Sequence, residues 1–243
     1  MPKDLNGKTI IVTGAGKGIG RATCIMLSEL GANVIAISRT LSDLESLRFE
    51  TGCETHLLDI LNSTELRNLM RSITLADGLV NCAGINILEP FLDVTEEAFD
   101  KIYAINTKAA MITAQEFSKT LIAANRKGAI VNVSSISSFV GFADHTSYCA
   151  SKGAMDAMSR VMANELGQYR IRVNCINPIV TMTELAAEAW SDPGKSEPIL
   201  SRVPVGHFAE VGDGANLILF LLSENSRMLN ATTIPVDGGF LAR

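Results

Sequence analysis

Paired cysteines are missing from this 243-residue chain. Its five cysteines (Cys24, Cys53, Cys82, Cys149, Cys175) are odd in number, and no two lie closer than 26 residues. That spacing excludes a disulfide framework and the close pairs of a zinc site. Histidine is almost as scarce: His56, His145 and His207 form no H-E-x-x-H pattern, so no metal site is expected. Long apolar runs are absent too. The longest, Leu217–Leu222, has six residues, far below the roughly 20 that a membrane span needs. Met1-Pro2-Lys3-Asp4 leads almost directly into a strand-like segment, which leaves no room for an apolar signal region and points to a cytoplasmic protein. Basic excess is missing as well: 21 cations against 26 anions give a net charge of −5, which argues against a general nucleic-acid binder. What the chain does have is 47% apolar against 19% charged residues, the balance of a globular protein.

Short β-branched runs alternate with longer helical patterns. The strands are expected near Thr9–Val12, Asn33–Ile37, Thr55–Leu58, Gly78–Asn81, Ala129–Val133, Arg172–Ile176 and Thr233–Val236. Helices are expected near Gly18–Leu30, Leu41–Glu50, Thr64–Ile73, Thr95–Asn125, Ser147–Gln168 and Asp213–Leu222. Such alternation builds right-handed βαβ units with helices on both sheet faces. The strands are nearly all apolar rather than alternating, as doubly covered strands are. The expected fold is α/β: one Rossmann-type, doubly wound domain over 1–243 with a seven-stranded parallel sheet. The proline-rich stretch 183–208, around the single tryptophan Trp190, reads as a small lid inserted in that domain.

The first strand enters Thr13-Gly14-Ala15-Gly16-Lys17-Gly18-Ile19-Gly20 and then a helix. Glycines there permit a tight turn and let the backbone approach a pyrophosphate at a helix N-terminus. The lysine is followed by Gly18 rather than Ser or Thr, so this is not a Walker A loop. About 20 residues on, where an acid would hold the ribose 2′-OH of NAD, stand Ser38-Arg39-Thr40. Arg39 can pair bidentately with a 2′-phosphate and Lys17 adds a second cation, which favours NADP(H).

Of the three tyrosines, only Tyr148 has a lysine four residues later, Lys152, on the same helix face. A free tyrosine titrates near pKa ~10; a neighbouring ammonium stabilises the phenolate and suits the group to acid/base work. Ser134 and Ser135 place hydroxyls at the carboxyl end of a strand, where open α/β sheets bind ligands.

These residues resemble the short-chain dehydrogenase/reductase family in its classical form, along the whole chain. Thr13–Gly20 is similar to that family's T-G-x-x-x-G-x-G loop, and Asn81-Cys82-Ala83-Gly84 to its N-N-A-G turn, with Cys82 replacing an asparagine. Asn106, Ser135, Tyr148 and Lys152 match the catalytic tetrad, and the thirteen-residue spacing to Tyr148 selects Ser135 over Ser134. The resemblance implies that Asp59, with Ile60, meets the adenine end. It likewise gives Gly14, Gly16, Lys17, Gly18, Ile19, Gly20, Ser38, Arg39, Thr40, Asn81, Ala83 and Gly84 to the cofactor. Tyr148, Lys152, Pro178, Val180, Thr181 and Thr183 would complete its binding. Ser135, Tyr148, His145 and Trp190 are the substrate-contact candidates.

Closer likeness to a tetrameric, carbonyl-reducing branch implies NADPH-dependent reduction of a ketose and of small α-dicarbonyls by a homotetramer. The apolar tail Phe240-Leu241-Ala242, read as exposed in an isolated subunit, adds to that expectation. Two other readings stay open: a reductase of acyl-carrier-bound 3-oxo groups, and a non-catalytic NADP(H)-binding regulatory protein.

Overall fold

The computed structural model describes residues 3–183, 186 and 190–242. Nine strands occur among them: β1 (Thr9–Thr13), β2 (Asn33–Ser38), β3 (Glu54–Leu57), β4 (Gly78–Asn81), β5 (Gly128–Val133), β6 (Ile171–Pro178), β7 (Thr181–Met182), β8 (Ala209–Glu210) and β9 (Thr233–Val236). Around them lie α1 (Gly18–Glu29), α2 (Leu41–Thr51), α3 (Ser63–Ser72), α4 (Glu96–Tyr103), α5 (Ala109–Ala123), α6 (Thr146–Leu166), α7 (Pro193–Leu200) and α8 (Val211–Leu222). Seven strands form one parallel sheet in the order β3-β2-β1-β4-β5-β6-β9. The order reverses between β1 and β4, and at such a switch point a crevice opens beyond the strands' carboxyl ends.

Alternate residues of a strand face opposite ways, so each strand feeds two cores. Ile10, Val12, Val80 and Val131 pack with Cys24, Leu27, Leu44, Ile218 and Leu222 on one face. Ile11, Ile37, Leu79, Ile130 and Val173 pack with Leu66, Met70, Ile112, Phe117 and Leu121 on the other. Two-sided burial of this kind is why the inner strands lack a polar alternation. The edge strand β3, Glu-Thr-His-Leu, is covered less and is the exception.

Three features depart from the sequence reading. The helix expected over Thr95–Asn125 is α4 and α5 joined by one π turn, Ala104–Lys108, and α7 and the pair β7–β8 had no counterpart in the expected elements. The pair joins Thr181 to Ala209 and Met182 to Glu210, closing the base of the excursion read as a lid. Residues 184, 185 and 187–189 of that stretch lie outside the described residues. The C-terminal tail corrects an expectation: Phe240 is fully buried, with its ring 6.0 Å from Phe142 and the Arg202 guanidinium 4.1 Å above it. Phe240 therefore finds its cover within its own chain, while Leu241 is half-buried and Ala242 exposed. Among the described residues no helix is long and apolar enough to cross a membrane.

Candidate active site

After β1 the chain turns through Gly14 at φ +67°. A Cβ there would lie 2.7 Å from the Ala83 backbone, so only glycine lets the loop close on the turn after β4. Thr13 locks the same contact, its Oγ1 accepting from the N–H groups of Cys82 (3.2 Å) and Ala83 (3.4 Å). α1 then starts at Gly18 with no side-chain cap and no acid in its first turn. Its first N–H groups are left for an anion. Thr183, just after β7, reaches the same loop; a Cβ on Gly18 would sit 3.0 Å from its methyl.

At the end of β2, Ser38 abuts Gly16, and Arg39 and Thr40 are exposed. Arg39 has no hydrogen bond or ion pair among the described residues. Lys17 is more compromised, since its ammonium stands 3.9 Å from the Asp43 carboxylate. Asp59 is exposed beyond β3 and accepts from Leu61 N–H (3.0 Å). Ile60 shares a small cavity with Thr13, Asn81 and Ala83. Pro178 is buried, and Val180 and Thr181 are partly so, beyond β6. Uncapped helix, glycine cradle and free arginine together fit a phosphorylated dinucleotide laid across the carboxyl ends of β1, β2 and β4.

Two of the four candidate catalytic positions, Asn106 and Lys152, meet at Gly84. A Cβ built there would be 3.3 Å from Asn106 Oδ1 and 3.6 Å from Lys152 Nζ. Asn106 is fully buried inside the π turn, a bulge that recurs at functional sites because it re-aims a side chain. Its amide accepts from Ile85 N–H (2.8 Å) and donates to Ile85 O and Ser151 Oγ (both 3.0 Å). Lys152, only 4% exposed, donates to the Val133 carbonyl at 2.8 Å, and its ammonium lies 5.5 Å from the Tyr148 ring centroid. Ser135 is the second residue beyond β5, its Oγ accepting from Ser137 N–H (3.1 Å) and reaching Ser137 Oγ (3.1 Å). Ser134 turns elsewhere, donating to the Lys152 carbonyl (3.3 Å). The two hydroxyls thus serve different partners.

His145 precedes α6. Its Nδ1 lies 2.6 Å from the Ala143 carbonyl, which can only accept, so Nδ1 carries the hydrogen and Nε2 is the acceptor of the neutral ring. The ring meets Tyr148 edge-on, with centroids 6.2 Å apart. Trp190 instead packs edge-on against Phe208 at 5.5 Å, bracing the base of the excursion. Burial pushes the Cys82 thiol beside the glycine loop up to about 11, so it stays protonated at neutral pH. An open groove of about 550 Å³ beside Arg71, Glu116 and Lys119 holds none of these residues. The Thr13 hydroxyl is a lock that no sequence motif singled out; a threonine at a strand end just before the glycines was the available signal, and the Asn177-Pro178 pair stands where the family usually has Pro-Gly.

A family model described as enoyl-(acyl carrier protein) reductase matches residues 14–241. The chain belongs to the short-chain dehydrogenase/reductase family. It is 46% identical to the L-xylulose reductase of Mesocricetus auratus over 242 residues, covering 99% of both chains. It is also 46% identical to the D-erythrulose reductase of Gallus gallus, again covering 99% of each. Among solved structures it resembles a protein assigned as a 2-deoxy-D-gluconate 3-dehydrogenase from Agrobacterium tumefaciens with bound NADP. There the TM-score is 0.93 and identity 31%, over 100% of this chain and 99% of the other.

Proposed function

We propose that the protein is an NADPH-dependent carbonyl reductase of short ketoses, converting L-xylulose to xylitol and reducing small α-dicarbonyls. The observation that carries this reading is the Lys152 ammonium, buried 5.5 Å from the Tyr148 ring beside the Ser135 end of β5. The identity to ketose reductases along essentially the whole chain supports the substrate class. A non-catalytic NADP(H) binder would have no use for this arrangement.

Bound NADPH supplies the hydride that reaches the carbonyl carbon. Tyr148 donates its phenolic proton to the carbonyl oxygen, so that C=O becomes CH–OH with one hydride and one proton added. Lys152 stabilises the phenolate left behind and, while holding the Val133 carbonyl, has further N–H bonds for the cofactor ribose. Ser135 donates to the substrate oxygen and orients it; Asn106 anchors the proton supply to Lys152. His145, with Nε2 as acceptor, takes a hydroxyl of the ketose, a contact an α-dicarbonyl lacks. Trp190 borders the substrate from the excursion. Arg39 holds the 2′-phosphate, with Lys17 as its weaker partner because Asp43 competes for it. Gly14, Gly16, Gly18, Ile19 and Gly20 hold the pyrophosphate; Asp59 and Ile60 the adenine; Ser38 and Thr40 the adenosine ribose. Asn81, Ala83 and Gly84 line the cofactor's inner edge, and Pro178, Val180, Thr181 and Thr183 the nicotinamide.

The reading includes one reductase domain over 1–243 with 183–208 as its lid, a homotetramer, and a cytoplasmic location. Support for the tetramer is now family likeness alone, since the buried Phe240 removes the exposed-tail argument. The decisive experiment is NADPH oxidation over a panel holding L-xylulose, D-erythrulose, diacetyl and a 3-oxoacyl thioester. Turnover of the ketoses and the dicarbonyl is expected. Turnover of the thioester alone would transfer the protein to acyl-carrier chemistry, and no turnover at all would overturn the enzyme reading.

A further inference from the structure

Beneath Ser135, the side chain of Asn177 at the end of β6 is fully buried and gathers three elements. Its Nδ2 lies 3.1 Å from the Ser135 carbonyl, 2.9 Å from Ser138 Oγ and 2.9 Å from Asp156 Oδ2. Two hydrogens serve three oxygens there. Asp156, 4% exposed, stands on α6 four residues after Lys152 and eight after Tyr148. That spacing puts all three on one helix face. The amide cannot be turned over, because its oxygen would then face the Ser135 carbonyl and the Asp156 carboxyl, both acceptors.

The arrangement is incomplete. Asp156 Oδ1 and Asn177 Oδ1 are buried without an N–H or O–H partner, the carboxyl having only the weak donor of the Cys175 thiol beside it, and the remaining such oxygen among the described residues, Ser118 Oγ, is on α5. An unpaired buried oxygen is destabilising, and an apolar pair of the same shape would suit the fold as well or better. Arrangements that break this rule gather where function needs them.

We propose that Asn177 and Asp156 are positioning residues: the amide–carboxyl pair fixes the Ser135 carbonyl against the face of α6 that carries Tyr148 and Lys152, keeping proton donor and carbonyl-orienting hydroxyl in register. The proposal rests on the reductase reading.

The test measures thermal stability, NADPH affinity, kcat, KM and the isotope effect from C4-deuterated NADPH, for the parent, Asp156→Leu and Asp156→Asn. The leucine variant leaves Asn177 two acceptors for its two hydrogens but cuts the link to α6. Its Tm should not fall and NADPH affinity should hold within about twofold, while kcat drops about tenfold and the isotope effect rises, because misalignment slows the chemical step. The asparagine can accept from Asn177 Nδ2 and donate to Asn177 Oδ1, so it should rescue kcat and raise Tm. A leucine variant with parental kcat overturns the positioning role. So does a kcat loss that tracks a fall in Tm and is not rescued by asparagine, since that is a structural role only. A parent that turns over no carbonyl overturns the reductase reading first, and the positioning role with it.

Discussion

Two residues on α6, three positions apart, belong to buried polar systems of opposite character. Ser159 closes a complete one. Thr113 donates to Asn81 Oδ1 (2.6 Å), Asn81 Nδ2 to Asn132 Oδ1 (2.9 Å), Asn132 Nδ2 to Ser159 Oγ (2.7 Å), and Ser159 to the Met155 carbonyl (2.8 Å). The Cys175 thiol adds a contact to Ser159 at 3.1 Å. Every amide group in that chain is used, tying β4 and β5 to α5 and α6. Asp156, a turn closer to Tyr148, belongs instead to the pair with two oxygens left over. The same helix thus meets ordinary rules of burial where it only has to pack and departs from them where it faces the chemistry. Satisfied networks specify one structure; unsatisfied ones persist where another demand holds them.

The largest expected effect falls on the site. Tyr148→Phe keeps the ring, so Tm and NADPH affinity should survive, while loss of a positioned proton donor lowers kcat by at least ~10². Lys152→Met should cost rate and cofactor affinity together, because one ammonium serves phenolate and ribose. Near-normal turnover of every carbonyl by the phenylalanine variant would remove Tyr148 from the donor role. On the complete network the sign reverses. Asn132→Leu leaves the Asn81 amide only the long bond to the Ala110 carbonyl (3.4 Å) and takes the amide donor from the Ser159 hydroxyl, and should cost about 1–3 kcal/mol of stability in denaturant unfolding. Folded Asn132→Leu as stable as the parent would show that completeness there is incidental. Arg39→Asp touches neither system. It should shift the NADPH-to-NADH preference by about tenfold or more, as expected for losing a charged hydrogen bond; an unchanged ratio of kcat/KM would leave the 2′-phosphate without its ligand.

How much of this was legible in the sequence differs by kind of signal. The inner strands declared themselves because double burial leaves no polar alternation, and β4 and β9 start and end where the pattern placed them. The glycine loop and the Tyr148–Lys152 spacing were readable because turn geometry and helix period impose fixed intervals. The π turn at Asn106 was not, since Ala104-Ile105-Asn106-Thr107-Lys108 is as compatible with an unbroken α-helix as with the wider turn. α7 was hidden by Pro193 and Pro198, which read as breakers although Pro193 opens the helix, where its missing N–H costs nothing. Phe240 was misjudged because its cover, Phe142 and Arg202, lies 98 and 38 residues away in the chain. Asp156 left no local signal, since its meaning comes only from meeting Asn177.

The smallest expected effect concerns a second buried acid, far from the crevice and fully paired. Glu116 on α5, 4% exposed in its side chain, receives Arg67 Nη1 at 2.8 Å, Arg71 Nε at 2.9 Å and Lys119 Nζ at 3.2 Å. The Arg71 hydrogen bond leads in holding its carboxyl down at about 2, with Lys119 and Arg67 adding to it and burial opposing. Unfolded, the same group titrates near 4.3. Between those values the unfolded chain binds the extra proton, so the contribution is complete above the unfolded value and is lost as pH falls toward about 2. The partners are 31%, 59% and 65% exposed, so solvent and salt screening limit the contribution to about 1 kcal/mol. Glu116→Gln should therefore be less stable than the parent at pH 6, and the gap should close as pH approaches 2. It should also narrow in high salt, and kcat should not change at either pH where both proteins stay folded. Parallel stability curves for the two proteins from pH 6 to pH 3 would mean that the cluster is a solvated surface feature, leaving the complete network around Asn132 as the sole counterpart to the incomplete pair at Asp156.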